Sequence, residues 1–232
     1  MSAISVFLQP QSLTIPTENH DYPEWHKGRS HYALWYIEID HPELLQYLYH
    51  LRQQFAPYLY QPNTRQFHIT LFICGFLIEN SLSNTKISQF NDDFSYSQMQ
   101  QQRERINASA LTSFRLKTGK INSFDSALFI EIEDIENSLS KIRTQFSNHQ
   151  SEIAPLNYCP HITIGLYSRE FEAHQVFRKI ESIEQQSFEI SVNHLTFGTY
   201  QAKVLQGELS ALEHFQLERL KRRESLNLSK VF

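Results

Sequence analysis

Two tripeptides in this chain, His68-Ile-Thr70 and His161-Ile-Thr163, pair an imidazole with a hydroxyl two residues on, inside runs of apolar and β-branched residues. On a strand, residues i and i+2 point to the same side. Each tripeptide therefore shows its His and Thr to one face and its Ile to the other. An unperturbed imidazole titrates near ~6.5, so two of them can divide the labour of acid and base at neutral pH. The neutral ring deprotonates an attacking water or hydroxyl, and the protonated ring donates to the leaving oxygen. Each transfer is typically worth ~10²–10⁴-fold. The Thr hydroxyls can donate to oxygens on which charge accumulates. That set suits a phosphodiester and requires no metal.

The tripeptide alone selects nothing. His-x-Ser/Thr starts at His68, His149, His161 and His194, and composition alone supplies about two such matches, the usual weakness of short motifs. Context separates them. Tyr36-Ile-Glu-Ile-Asp40 resembles Phe129-Ile-Glu-Ile-Glu133 at an offset of 93. Leu51-Arg-Gln-Gln-Phe55 resembles Ile142-Arg-Thr-Gln-Phe146 at an offset of 91, and His68-Ile-Thr-Leu71 resembles His161-Ile-Thr-Ile164 at 93 again. His149 lies in a polar stretch past a helix end. His194 has Gln101 one offset earlier, and its run carries Phe188, Ile190 and Val192, which favours a buried strand position.

The elements that must hold these residues follow from periodicity. Strands are expected at Tyr32–Asp40, Gln66–Leu77, Phe114–Ile121, Ala127–Glu133, His161–Tyr167, Phe188–Tyr200 and Lys203–Leu209. Helices are expected at Pro42–Phe55, Ser97–Ala110, Ile135–Phe146, Glu170–Ile183 and Leu212–Leu228, with a polar loop over Glu79–Asp93. Each half reads strand, helix, loop, strand with His-Ile-Thr. Two copies 93 apart are too few and too long for a solenoid, and they fit a pseudo-two-fold α+β fold. The apolar face of each His-Ile-Thr strand packs under helices. The His/Thr face then looks into a cleft between the halves.

These paired strands, with the flanks Gln66-Phe67-His68-Ile-Thr-Leu and Tyr158-Cys-Pro-His161-Ile-Thr-Ile, resemble the two-histidine phosphoesterase superfamily, in particular its 2′-5′ RNA ligase-like and cyclic phosphodiesterase branch. The resemblance covers roughly Tyr32 to Leu209. It implies an α+β, bilobal fold of two antiparallel sheets with outer helices around a central cleft. It also implies metal-independent cleavage of 2′,3′-cyclic phosphate in nucleotides or RNA ends, with His68, Thr70, His161 and Thr163 at the catalytic positions. The same four residues would serve 2′-5′ phosphodiester cleavage or ligation, or opening of an ADP-ribose cyclic phosphate. A protein that binds RNA or nucleotides in this cleft without turnover is the non-enzymatic alternative. The sequence then divides into an N-terminal extension (1–31), a phosphoesterase domain (32–209) and a C-terminal helix (210–232).

Around these four, Tyr167, Phe72 and Tyr36 are candidates to stack a base or bond a phosphate, base–aromatic stacking being worth ~1–3 kcal/mol. Glu38 and Glu131 alternate against Ile neighbours and read as solvated or salt-bridged. The chain lacks His-x-x-x-His, Cys-x-x-Cys and His-Glu-x-x-His spacings, so neither a metal nor a cofactor is expected. A net charge of −4 gives no field to recruit double-stranded DNA or an anionic membrane. Two cysteines, Cys74 and Cys159, cannot make a disulfide framework, and no apolar run approaches the ~20 residues that span a bilayer. A monomeric cytoplasmic protein acting on a small nucleotide or a strand end is expected. The basic run Glu218-Arg-Leu-Lys-Arg-Arg-Glu224 reads as a solvated helix face.

Overall fold

The structure, a computed structural model, describes residues 7–78, 90–147, 152–153 and 158–218. Its strands are β1 (His31–Glu38), β2 (His68–Ile78), β3 (Asp93–Ser95), β4 (Phe114–Ser123), β5 (Ala127–Glu133), β6 (His161–Leu166), β7 (Glu189–Val192), β8 (His194–Gln201) and β9 (Ser210–Gln216). The helices are α1 (Pro23–His26), α2 (Pro42–Gln54), α3 (Tyr96–Ala108), α4 (Ser138–Ser147) and α5 (Ala173–Glu181). The strands form one sheet in the order β7-β4-β5-β6-β2-β1-β8-β9, with β3 parallel to β2 at one side. All the other pairings are antiparallel. The two halves of the repeat, β4-β5-β6 and β2-β1-β8, meet at one register pair, Ile69 opposite Ile162.

Helix α2 begins where His41 caps the Leu44 N–H and Pro42 supplies a preset first turn. Its Leu44, Leu48 and Leu51 are buried. Helix α4 mirrors it with Leu139, Ile142 and Phe146, and begins where both Asp134 carboxylate oxygens accept N–H groups of Ser138 and Leu139. The core beneath the sheet is mainly Leu and Ile, with aromatic rings packed among them. Trp35 stacks on Phe146 at 4.9 Å and donates its indole N–H to Gln102 (2.8 Å), which satisfies the one polar handle on that buried ring.

Three sequence expectations give way. The run 188–200 is two strands: the break at Asn193 sends β7 to β4 at one end of the sheet and β8 to β1 in the other half. His194 therefore does not share a strand with Ile190 and Val192, and it is part-exposed. Residues 203–209 form turns rather than a strand. Thr64, Arg65 and Gln66 side chains donate to the carbonyls of Gln206, Gly207 and Leu209, so side chains take up the backbone groups a ladder would use. Ser210–Gln216 is not helical: it is the edge strand β9 on β8, with His214 opposite Thr196. Pairing with β8 outweighs a helical period that only alternates Leu212, His214 and Gln216 against Glu213 and Phe215. The expected helix beyond residue 218, His149-Gln-Ser and the loop 79–89 lie outside the described residues.

Candidate active site

His68 opens β2 and His161 opens β6, and the junction pair Ile69–Ile162 fixes their relation. In that antiparallel register His68 lies beside Thr163, and Thr70 beside His161. Ile69 and Ile162 are fully buried beneath, while all four His and Thr side chains are part-exposed on the other face. The pairing extends across the floor: Glu131, His161, Thr70, Tyr36, Thr196 and His214 make one row over six strands.

Each imidazole is held the same way. His68 Nδ1 lies 2.8 Å from the Gln66 carbonyl, and His161 Nδ1 lies 2.7 Å from the Cys159 carbonyl. A carbonyl can only accept, so Nδ1 carries the proton in both rings and Nε2 presents a lone pair. Gln66 is itself pinned, accepting the Leu209 N–H at 2.8 Å. Burial lowers the His68 pKa to about 4; the nearby positive charges of Arg65 and His161 push the same way, and the Gln66 carbonyl opposes them. Burial also lowers His161, against the pull of the Cys159 carbonyl. Neither the Thr70 nor the Thr163 hydroxyl has a protein hydrogen-bond partner among the described residues.

A second symmetry lies just past the motifs. On β2 the register against β1 skips Leu71, so that Tyr36 pairs with Thr70 and Trp35 with Phe72. On β6 the register against β5 skips Ile164 in the same place, so that Phe129 pairs with Thr163 and Leu128 with Gly165. These are β-bulges, and an extra residue inverts the inside–outside alternation beyond it. This overturns two expectations. Phe72 does not share the His68 face: it is 2% exposed and packs on Phe146 in the core. Tyr167 is fully buried too, its hydroxyl 2.6 Å from Ser123 Oγ, with burial pushing its pKa up to about 12. Tyr36 stays beside the site, edge-on to His68 at 5.7 Å, but it is covered by Leu209.

The aromatic neighbours of His161 escape the sequence reading. Phe124 and Phe129 stand edge-on to its ring at 5.0 and 5.2 Å, and Phe7 lies on both, 36% exposed. Phe129 is detectable as the mate of Tyr36 at the 93-residue offset. Phe7 reaches the site because the N-terminal lead bridges to Phe124 and bonds onward to Asp125 and Tyr167. The cleft thus has matched walls, the 203–209 turns over Tyr36 and the lead over Phe129.

The two His-x-Thr strands thus form a pseudo-dyad, each with its imidazole Nδ1 tied back to a carbonyl and its His and Thr on one face, the arrangement expected of a two-histidine phosphoesterase. A family model described as the 2′-5′ RNA ligase superfamily matches residues 41–203, and the chain belongs to that superfamily. Among solved structures it is similar to Escherichia coli LigT complexed with 3′-AMP (TM-score 0.55, 12% identity, 81% of this chain and 98% of that one). It is also similar to TT0787 of Thermus thermophilus (0.50, 13%, 81% and 98%) and to the conserved protein ATU0111 of Agrobacterium tumefaciens (0.51, 14%, 85% and 95%). At such identity these likenesses show the fold. A search of curated proteins finds no match. No helix of the described residues is long and apolar enough to cross a membrane.

Proposed function

We propose that the protein is a metal-independent phosphodiesterase that hydrolyses 2′,3′-cyclic phosphate on nucleotides or RNA ends. The observation that carries this reading is the pair of Nδ1-anchored imidazoles, each beside the other motif's free threonine hydroxyl. His68 is the base. Its low pKa keeps Nε2 unprotonated, and it takes a proton from the attacking water. His161 is the acid. It lies opposite Glu131 and has no Arg65 counterpart among its perturbing charges, so an entering phosphodiester anion favours its imidazolium form. The water oxygen bonds to phosphorus, one ring P–O bond breaks, and His161 gives its proton to the released ribose oxygen. Thr70 and Thr163 donate to the non-bridging oxygens as charge moves onto them. The exposed Phe7 ring offers the base a stacking surface.

Replacing His68 or His161 singly by Ala, and assaying 2′,3′-cyclic nucleotide hydrolysis with EDTA present, tests the proposal. Loss of at least ~10²-fold in each variant is expected. Full activity in either overturns it. A parallel panel of 2′-5′-linked dinucleotide and ADP-ribose cyclic phosphate ranks the substrates of the same four residues.

A further inference from the structure

Glu38, His194 and His214 come from β1, β8 and β9, three neighbouring strands, and the phosphoesterase reading gives none of the three residues a role. The register Tyr36–Thr196 places Glu38 directly across from His194. The register Thr196–His214 places His214 diagonally beside His194 on the same face. One ligand-type atom from each of the three lies within 4.8 Å of the other two. His194 Nε2 stands 3.6 Å from Glu38 Oε2. That is too long for a strong charged hydrogen bond, which runs ~2.7–2.9 Å. It is close to the ~3.4 Å that separates two ligands bound to one tetrahedral ion at ~2.1 Å.

The flanking contacts orient the set. His214 Nδ1 lies 3.2 Å from the Thr196 hydroxyl, which leaves its Nε2 free. The Tyr36 hydroxyl donates to Glu38 Oε1 at 3.5 Å, which leaves Oε2 toward His194. Such outer partners fix ligand rings and carboxylates in metal sites. The two imidazole rings are 5.6 Å apart and nearly perpendicular. The group is open to solvent on one side, with His214 exposed, so water can complete a coordination shell. Two imidazole nitrogens and one carboxylate oxygen suit a borderline transition ion and not Mg²⁺ or Ca²⁺, which take oxygen shells.

We propose that Glu38, His194 and His214 form a binding site for one divalent transition-metal ion of the zinc class on the cleft floor, beginning at Glu38, which lies directly across from His68 on the neighbouring strand, and extending away from it. The inference is independent of the phosphoesterase reading and stands or falls on metal binding alone.

The test uses the untagged full-length chain, stripped with EDTA and dialysed. Zn²⁺ is titrated by calorimetry, and Co²⁺ is followed by visible absorption. One equivalent bound with micromolar or tighter affinity is expected, together with the intensified Co²⁺ bands of a low-coordinate site. His194→Ala, His214→Ala and Glu38→Gln should each weaken Zn²⁺ at least tenfold, while His68→Ala should bind as the parent does. His214 is an exposed edge-strand residue, so His214→Ala reports on binding even where the other two variants disturb folding. Millimolar affinity in the parent, undiminished affinity in His214→Ala, or loss of binding in His68→Ala overturns the proposal.

Discussion

Arg52 on α2 donates its Nε–H to the carbonyl of Ile164, 3.0 Å away in the opposite half of the repeat. Ile164 is the bulged residue of β6. The reciprocal bond runs from Arg143 on α4 to the carbonyl of Leu71, the bulged residue of β2. A bulge leaves its extra residue outside the ladder, and here each helix supplies the donor to the other half's bulge. Arg143 is further held by Glu152 and lies over the Tyr158 ring at 3.8 Å. Tyr158 in turn donates to the Thr70 carbonyl at 3.0 Å. Arg52 lies over Phe67 at 4.0 Å. The swap ties the two His-x-Thr strands together from below, where only one register pair joins them.

Arg143→Lys keeps the charge and loses the forked geometry. If the clamp positions Thr70, kcat should fall by up to ~10²-fold, the cost of small misplacements, with KM changed less than threefold. Steady-state kinetics on a cyclic nucleotide read the split. A rise in KM at constant kcat would place Arg143 in substrate binding instead.

The arginine clamp marks how far the sequence could be read. The 93-residue repeat made the four His and Thr residues legible, along with both helices and the core face Ile69, Leu71, Ile162 and Ile164. It did not reveal the bulges, because an extra residue at Leu71 or Ile164 leaves the apolar run unbroken while turning Phe72 into the core. Nor did it reveal β9 or the lead, whose positions depend on pairing with distant partners, β8 and Phe124. Glu38, His194 and His214 are 156 and 20 residues apart in the chain, so no spacing rule could join them; the sheet register does.

The titration of the two imidazoles sets a pH profile. The proposed mechanism needs His68 neutral and His161 protonated. The His68 pKa of about 4 defines the acid limb, so kcat/KM should rise as pH passes upward through that value. His161 is lowered from 6.5 by burial, so the free enzyme loses its acid, and kcat/KM falls, before that pH is reached from below. The optimum of kcat/KM should lie on the acid side of 6.5. Measuring kcat/KM across the range checks it, and an optimum above pH 7 would reverse the assignment of an acid role to a group with a lowered pKa.

Thr70→Val and Thr163→Val keep shape and remove the donor. Each should lower kcat by about 10²-fold, the usual cost of deleting one donor to developing charge. Neither hydroxyl has a protein partner to lose among the described residues, so thermal midpoints should move by less than a few degrees. Kinetics alongside a melting curve decide it. A large loss of stability with unchanged kcat would make these hydroxyls structural.

Phe72 and Phe7 should part company under truncation. Phe72 is 2% exposed, and its ring meets Phe146 at 5.7 Å. Phe72→Ala should therefore cost about 3–5 kcal/mol of stability, the range for emptying an aromatic core site, without a specific effect on KM in the folded fraction. Phe7 is 36% exposed on the Phe124–Phe129 wall beside His161. Phe7→Ala should leave stability within about 1 kcal/mol, as for most surface changes. It should raise KM for a cyclic nucleotide about five- to tenfold, toward the low end of the stacking range. Urea unfolding and KM measured on both variants make the comparison. Equal KM in Phe7→Ala and the parent would remove the N-terminal lead from the substrate site.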